Sequence, residues 1–291
     1  MVSMPALVLA LVLPPSRGHA DGDRMLDPAP PNRAFGPPLA SGRSARPRNE
    51  ASLYGSAGYG RGTQGPYAIV AQDQALTVGG RIVSGSVQAG ADFTALSRSS
   101  LRVRGIGADA ATSTGHLRLE LMWAAASPEL GGGRLWISPA FVATLPTSGE
   151  KQLVVGRPIA VLDARGLDAW SVAPAVRMSF HRGWLSLHTE QLLALVLADD
   201  ERTQELRRGG WLSTWAVGVR PRGLFGAFAE LDALVEIDAP EPVGSSVSAT
   251  VGGALYPVDQ LRLELAVQLP VSQEARRAFD VTGLLRLACE I

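Results

Sequence analysis

Cysteine and lysine are almost missing from this sequence: Cys289 and Lys151 are its only examples. A single cysteine excludes an internal disulfide framework, and no CxxC or Cys/His spacing offers a zinc ligand set. The 27 Lys+Arg are matched by 27 Asp+Glu, and no basic tract is set apart from the acids. Nucleic acid is therefore excluded as a partner. No apolar run approaches the roughly 20 residues of a membrane-spanning helix. No phosphate loop or dinucleotide fingerprint opens a helix, and no GxSxG turn occurs. No cofactor and no metal site are expected, and the chain is not read as an enzyme.

What the sequence does have is a two-residue period. Leu261, Leu263, Leu265, Val267 and Leu269 alternate with Arg262, Glu264, Ala266 and Gln268. Phe279, Val281, Gly283, Leu285, Leu287, Cys289 and Ile291 alternate with Asp280, Thr282, Arg286 and Glu290. That period belongs to strands with one apolar and one polar face. The runs are long enough to cross a bilayer when tilted. The expected fold class is all-β: a transmembrane antiparallel up-and-down β-barrel of about 12 strands. Mean hydropathy of +0.12 suits it, because half of every strand faces a polar interior.

Three domains are expected. Residues 1–20 read as a signal peptide, with an apolar core from Ala6 to Leu13 and small residues at Gly18 and Ala20. Residues 21–65 are rich in Pro, Gly, Ser and Arg and read as a flexible leader, lying in the periplasm or partly entering the barrel as a plug. Residues 66–291 form the barrel. Strands are expected at 66–73, 77–87, 91–105, 115–127, 133–145, 168–181, 184–197, 209–220, 224–237, 245–255, 259–270 and 277–290.

Connections alternate in length. Pro257–Val258, Pro221–Gly223, Arg182–Gly183 and Gln88–Gly90 are tight, and Pro128–Gly132 is slightly longer. Residues 271–276, 238–244, 199–208, 146–167 and 106–114 form the longer loops. Outer-membrane barrels sort short periplasmic turns from long extracellular loops in this way. The bacterial (Gram-negative) outer membrane is the expected location. Membrane lipid, the barrel-assembly machinery and a small-molecule solute are the expected partners. Trp170, Trp184 and Trp211 lie near strand ends, where an interfacial aromatic belt places them.

Strand parity assigns the faces. Leu117, Leu119, Leu121 and Trp123 are expected toward lipid, with His116, Arg118, Glu120 and Met122 inside. The expected lumen-lining residues are Arg118, Glu120, Arg177, His188, Glu190, Arg220, Glu230, Asp232, Arg262, Glu264, Asp280 and Arg286. Arg98, Arg102, Arg104, Arg134, Glu236 and Glu290 share their parity. Such a mixture of signs suggests a cross-linked ladder, since ionic selectivity would need rings of one sign. A two-residue turn at Arg182–Gly183 would pair His181 with Trp184, Ser179 with Ser186, Arg177 with His188 and Ala175 with Glu190. Ser, His and Glu on one inner face raise a hydrolase alternative, and His116, His181 and His188 a metal one. The first has no visibly oriented third group, and the second needs three distant strands to converge. The favoured function is a channel or transporter for small, hydrophobic or aromatic molecules; a structural or surface-binding barrel is the main alternative.

The segment Gly133-Arg-Leu-Trp-Ile-Ser-Pro-Ala-Phe-Val-Ala-Thr-Leu-Pro-Thr-Ser-Gly149 runs from a strand into a Leu-Pro-Thr-Ser-Gly loop start. With the closing patterns Leu261–Pro270 and Phe279–Leu287, it resembles the outer-membrane barrels named for the MetA pathway of phenol degradation. The resemblance covers residues 75–291 and implies a transporter, with no catalytic residues to carry over. Barrels of that kind usually end on an aromatic residue read by the assembly machinery, where this sequence has Ile291.

Overall fold

The computed structural model describes residues 44–64, 67–147, 152–155, 160–163, 170–196, 209–220, 224–237, 246–278 and 280–291. The expected signal peptide and the leader up to residue 43 lie outside them. Twelve strands close into one antiparallel barrel: β1 (Glu50–Gln64), β2 (Tyr67–Ser84), β3 (Val87–Val103), β5 (His116–Trp123), β7 (Gly133–Pro146), β10 (Ser171–Arg182), β11 (Leu185–Val196), β12 (Gly209–Val219), β13 (Phe225–Ile237), β14 (Ser246–Val258), β15 (Leu261–Pro270) and β16 (Val281–Glu290). Each pairs with its neighbour in that order, and β16 returns to β1. Short β4 (Gly107–Ser113) extends β3, and β6 (Glu129–Leu130) pairs with the start of β7. A separate hairpin, β8 (Gln152–Val155) with β9 (Ala160–Asp163), lies within the longest loop. One short helix, α1 (Gln273–Ala278), joins β15 to β16.

The expected strand number is right, but the first division is not. The strands expected at 66–73 and 77–87 are largely covered by one 18-residue strand, β2. The missing strand is β1, inside the expected leader. Its outward residues are Ala51, Leu53, Gly55, Ala57 and Tyr59, too small on average to give a strong apolar period. Full pairing with β2 on one side and β16 on the other replaces that weak local signal. Closure leaves no sheet edge, which hydrocarbon requires.

Faces follow parity. On β5, Arg118, Glu120 and Met122 are buried while Leu119, Leu121 and Trp123 are exposed. The same alternation exposes Leu265, Val267 and Leu269 on β15 and Leu285 and Leu287 on β16. None of the described residues covers this outward belt, and it is the surface that lipid solvates. Trp123 and Trp184 mark its short-turn end; Trp170 and Trp211 mark the other.

One irregularity reverses parity. Leu76 pairs with Leu96 and Thr77 with Thr94, so Ala95 is an extra residue on β3. Such a bulge moves every later side chain to the opposite face. Before it, Gln88 and Asp92 point inward; beyond it, Ser99, Leu101 and Val103 do. Arg98 and Arg102, expected inside, therefore stand on the outer face.

Candidate functional site

The site is the barrel interior, built by inward residues of successive strands. Glu50 of β1 accepts from Arg81 of β2 at 3.4 Å and from Arg286 of β16. Arg286 also reaches Glu264 at 3.4 Å, and Arg262 joins Glu264 at 3.0 Å and Glu50 at 3.5 Å. In the other direction Arg81 meets Asp92 at 3.1 Å, Asp92 meets Arg118 at 3.2 Å, and Arg118 meets Glu120 at 3.1 Å. Arg177 then grips Glu120 at 2.7 Å and also binds Glu190. The chain of pairs runs without a gap from β15 to β11 through eight strands, and β7 alone is bridged over.

Local sequence makes room for it. Gly79 faces Asp92 across the β2–β3 pair, and a Cβ there would collide with the Asp92 carboxylate. Only the bare glycine lets that carboxylate lie between Arg81 and Arg118. Arg177 and Arg286 are 0% and 1% exposed, so the guanidinium forks are removed from water and depend on their carboxylates.

Beyond this network the wall changes character. On β12 to β16 the inward residues include Thr214, Glu230, Asp232, Ser248, Thr250, Gln268 and Thr282, all buried. Thr214 donates to Asp232 at 2.8 Å and Gln268 to Ser248 at 3.1 Å. Thr250, Gln268 and Thr282 form one row across β14, β15 and β16. The Thr250 and Thr282 hydroxyls have no partner among the described residues.

The short-turn mouth is crossed by Ser44–Asn49. Ala45 is fully buried: its N–H donates to Ser179 Oγ at 2.9 Å and its carbonyl accepts from Ser138 Oγ at 2.7 Å. Arg48 N–H donates to Gln88 at 2.9 Å, and its guanidinium meets Glu50 at 3.0 Å. Burial, then the like charge of Arg262, depresses the Arg48 guanidinium below its ordinary range, with Glu50 opposing. Ala45 lies against β7 and β10 while Glu50 begins β1, four to five strands round the wall. Five residues of extended chain span about 17 Å, so the segment is a strap across the lumen. Plugging by the leader is an expectation of the sequence; of its described residues 44–64, these six cross the lumen and the rest form β1.

Of the twelve expected lumen residues, Arg118, Glu120, Arg177, Glu190, Arg262, Glu264 and Arg286 are brought together in the network. His188, Glu230 and Asp232 are buried on the inner face outside it. Arg220 and Asp280 are not in the lumen. Arg220 sits at the short-turn rim over the Tyr256 ring and 3.1 Å from Asp259. Asp280 lies at the opposite rim, 3.4 Å from the exposed Arg61. Arg104, Arg134 and Glu290 are exposed as well. Glu50, Arg81 and Asp92 were missed, since two of the three fall in segments divided wrongly.

The β10–β11 register also differs from expectation. The turn residues are Gly183 and Trp184, so His181 faces Ser186, Ser179 faces His188 and Arg177 faces Glu190. Gly183 has φ of +57°, and glycine is the residue for a left-handed first turn position. Ser179 Oγ and His188 Nδ1 are 2.8 Å apart, and the His188 ring abuts His181 edge-on at 5.3 Å. The Ala45 N–H already occupies the Ser179 oxygen. His116 is on β5, away from that pair.

At the far mouth, Ile69, Leu101 and Val103 make an apolar patch on the inner face, 1–4% exposed. Strand β8 of the longest loop runs against β3 and β4 beside it.

The closed barrel, apolar belt and filled polar interior define a bacterial outer-membrane β-barrel. No known family matches the sequence, and no curated protein does. The fold superposes on an outer-membrane channel from Pseudomonas putida F1 with a TM-score of 0.57 and 10% identity, covering 84% of this chain and 96% of that one. It is also similar to the NanC porin: TM-score 0.50, 9% identity, 83% of this chain and 100% of that one. At such identities the likeness is one of fold.

Proposed function

We propose that the barrel is a small-molecule channel, closed in the described state by the charge network and by the Ser44–Asn49 strap. The observation that carries this reading is the hydroxyl and amide row Thr250, Gln268 and Thr282. It is a polar wall with hydrogen-bonding capacity to spare, which a purely structural core would satisfy internally. A preference for solutes with an apolar part rests on the resemblance to the phenol-degradation barrels, whose membership we propose on the Gly133–Gly149 segment. The fold likeness to an outer-membrane channel and to a porin points the same way.

Planar-bilayer recording tests it. The full chain should give small, infrequent openings, and weakening the strap should enlarge them. A folded barrel that stays silent in both forms overturns the channel reading.

The hydrolase alternative is set aside because the Ser179 oxygen accepts a backbone N–H and His188 abuts His181 instead of a carboxylate. Phospholipid turnover by the purified barrel should stay at background, and His188→Ala should not change it. Turnover abolished by that substitution would reinstate the alternative.

A further inference from the structure

Strands β1, β2 and β3 are 15, 18 and 17 residues long, where about 9–11 suffice to cross the hydrocarbon. Their surplus rises on the long-loop side, with β4 paired to the top of β3. The outer face of this extension changes composition abruptly. Leu76 and Leu96 are a paired, exposed apolar couple. The next outward residues are Gln74 opposite Arg98, then Gln72 opposite Ser100, then Val70 opposite Arg102. On β4, Thr112, Ala110 and Ala108 lie beside Arg98, Ser100 and Arg102.

Arg98 and Arg102 are both exposed. Among the described residues, no carboxylate pairs with either. The nearby acids are turned elsewhere: Asp73 accepts from the Ser99 hydroxyl on the inner parity, and Asp109 accepts the Ala110 N–H at 2.8 Å. Arg61 flanks the same face from β1, against Tyr59 and Asp280. A tilted strand climbs about 2.6 Å per residue, so Arg98 stands ~5 Å above the last apolar pair. That is headgroup depth. Arg98 and Arg102 are about 13 Å apart along the strand.

We propose that this outward face binds a lipid headgroup of the surrounding outer leaflet, one carrying two phosphates, with Arg98 and Arg102 each taking one. Guanidinium groups suit phosphate oxygens because their donors form a planar fork. The flanking Gln72, Gln74, Ser100 and Thr112 supply neutral hydrogen bonds to the sugar or glycerol part. The bulge at Ala95 is what turns the two arginines outward, so it serves the lipid contact and not the lumen.

The test uses the full chain in neutral detergent, with diphosphoryl lipid A titrated in and bound lipid counted by native mass spectrometry. Wild type should bind it and prefer it severalfold over the monophosphoryl form. Arg98→Gln with Arg102→Gln should weaken binding at least fivefold, and each single change should weaken it less. Arg182→Gln, at the opposite rim, should bind as wild type. Unboiled gel mobility confirms that each variant is folded, and the single variants serve if the double one is not. Undiminished binding by the arginine variants, equal loss in Arg182→Gln, or indifference to the second phosphate would overturn the proposal.

Discussion

Arg177 holds both oxygens of Glu120, Nη1 to Oε1 at 2.7 Å and Nη2 to Oε2 at 2.8 Å, although β7 lies between their strands. The inward residue of β7 at this level is Ser138, opposite Arg177 and small enough to let the guanidinium pass over it. The bidentate bond therefore acts across two strand intervals, where hydrogen bonding of the backbone acts across one.

Removing that arginine should be more damaging than removing the whole cluster. Arg177→Met leaves Glu120 and Glu190 buried with less compensation, a change that typically costs about 3–5 kcal/mol. Combining it with Glu120→Gln and Glu190→Gln should recover most of the loss. Urea unfolding in lipid vesicles, read by tryptophan fluorescence, measures both; a triple variant no more stable than the single one would contradict the expectation.

Deleting residues 44–48 should raise single-channel conductance severalfold while leaving the barrel's gel mobility unchanged. Among the described residues, the strap is held by hydroxyl and amide contacts and the Arg48–Glu50 ion pair, whereas the wall is held by twelve ladders. Unchanged conductance would mean that the charge network alone seals the lumen.

Leu285→Arg, on the lipid face near mid-depth, should destabilise the barrel by about 2–4 kcal/mol. The reverse test is Ser56→Ala on the inward face of β1, where the same unfolding assay should register under ~1 kcal/mol.

Gly79→Val should displace the Asp92 carboxylate and loosen Arg81 and Arg118 together, at a cost of about 1–3 kcal/mol. Adding Asp92→Asn should not increase that loss by its full single-variant value, because both changes break the same contact. Full additivity would place Gly79 outside the network.

The alternation of Leu and Arg or Glu from β5 onward makes the fold class and most lumen residues legible; the strand number agrees because one strand divided in two offsets one missed. Parity is a strong signal where outward residues are Leu, Val or Trp. It is weak on β1, whose outward positions are Ala, Leu, Gly, Ala and Tyr, so Glu50 reads as part of the leader. Parity also assumes an unbroken period. Ala95 breaks it, and no residue in Phe93–Ser97 announces a bulge, so parity alone puts Arg98 and Arg102 on the inner side. Arg220 and Asp280 failed for a third reason: parity fixes the face but not the height, and both sit at rims where a side chain can turn away. The strap was beyond reach in detail, because Ala45 is held by its own backbone, which any residue carries.

Glu50 and Arg286 are joined across 236 positions of sequence. Loop-closure entropy makes so remote a contact late to form, and β1 has no other neighbour on that side. A nascent barrel thus holds Glu50 with only its Arg48 and Arg81 partners, and an unpaired ladder at its first strand, until the last one has been delivered. Completion of the cylinder is checked by charge as well as by hydrogen bonding, and a truncated or misregistered β16 leaves Glu50 exposed as a mark of failed closure.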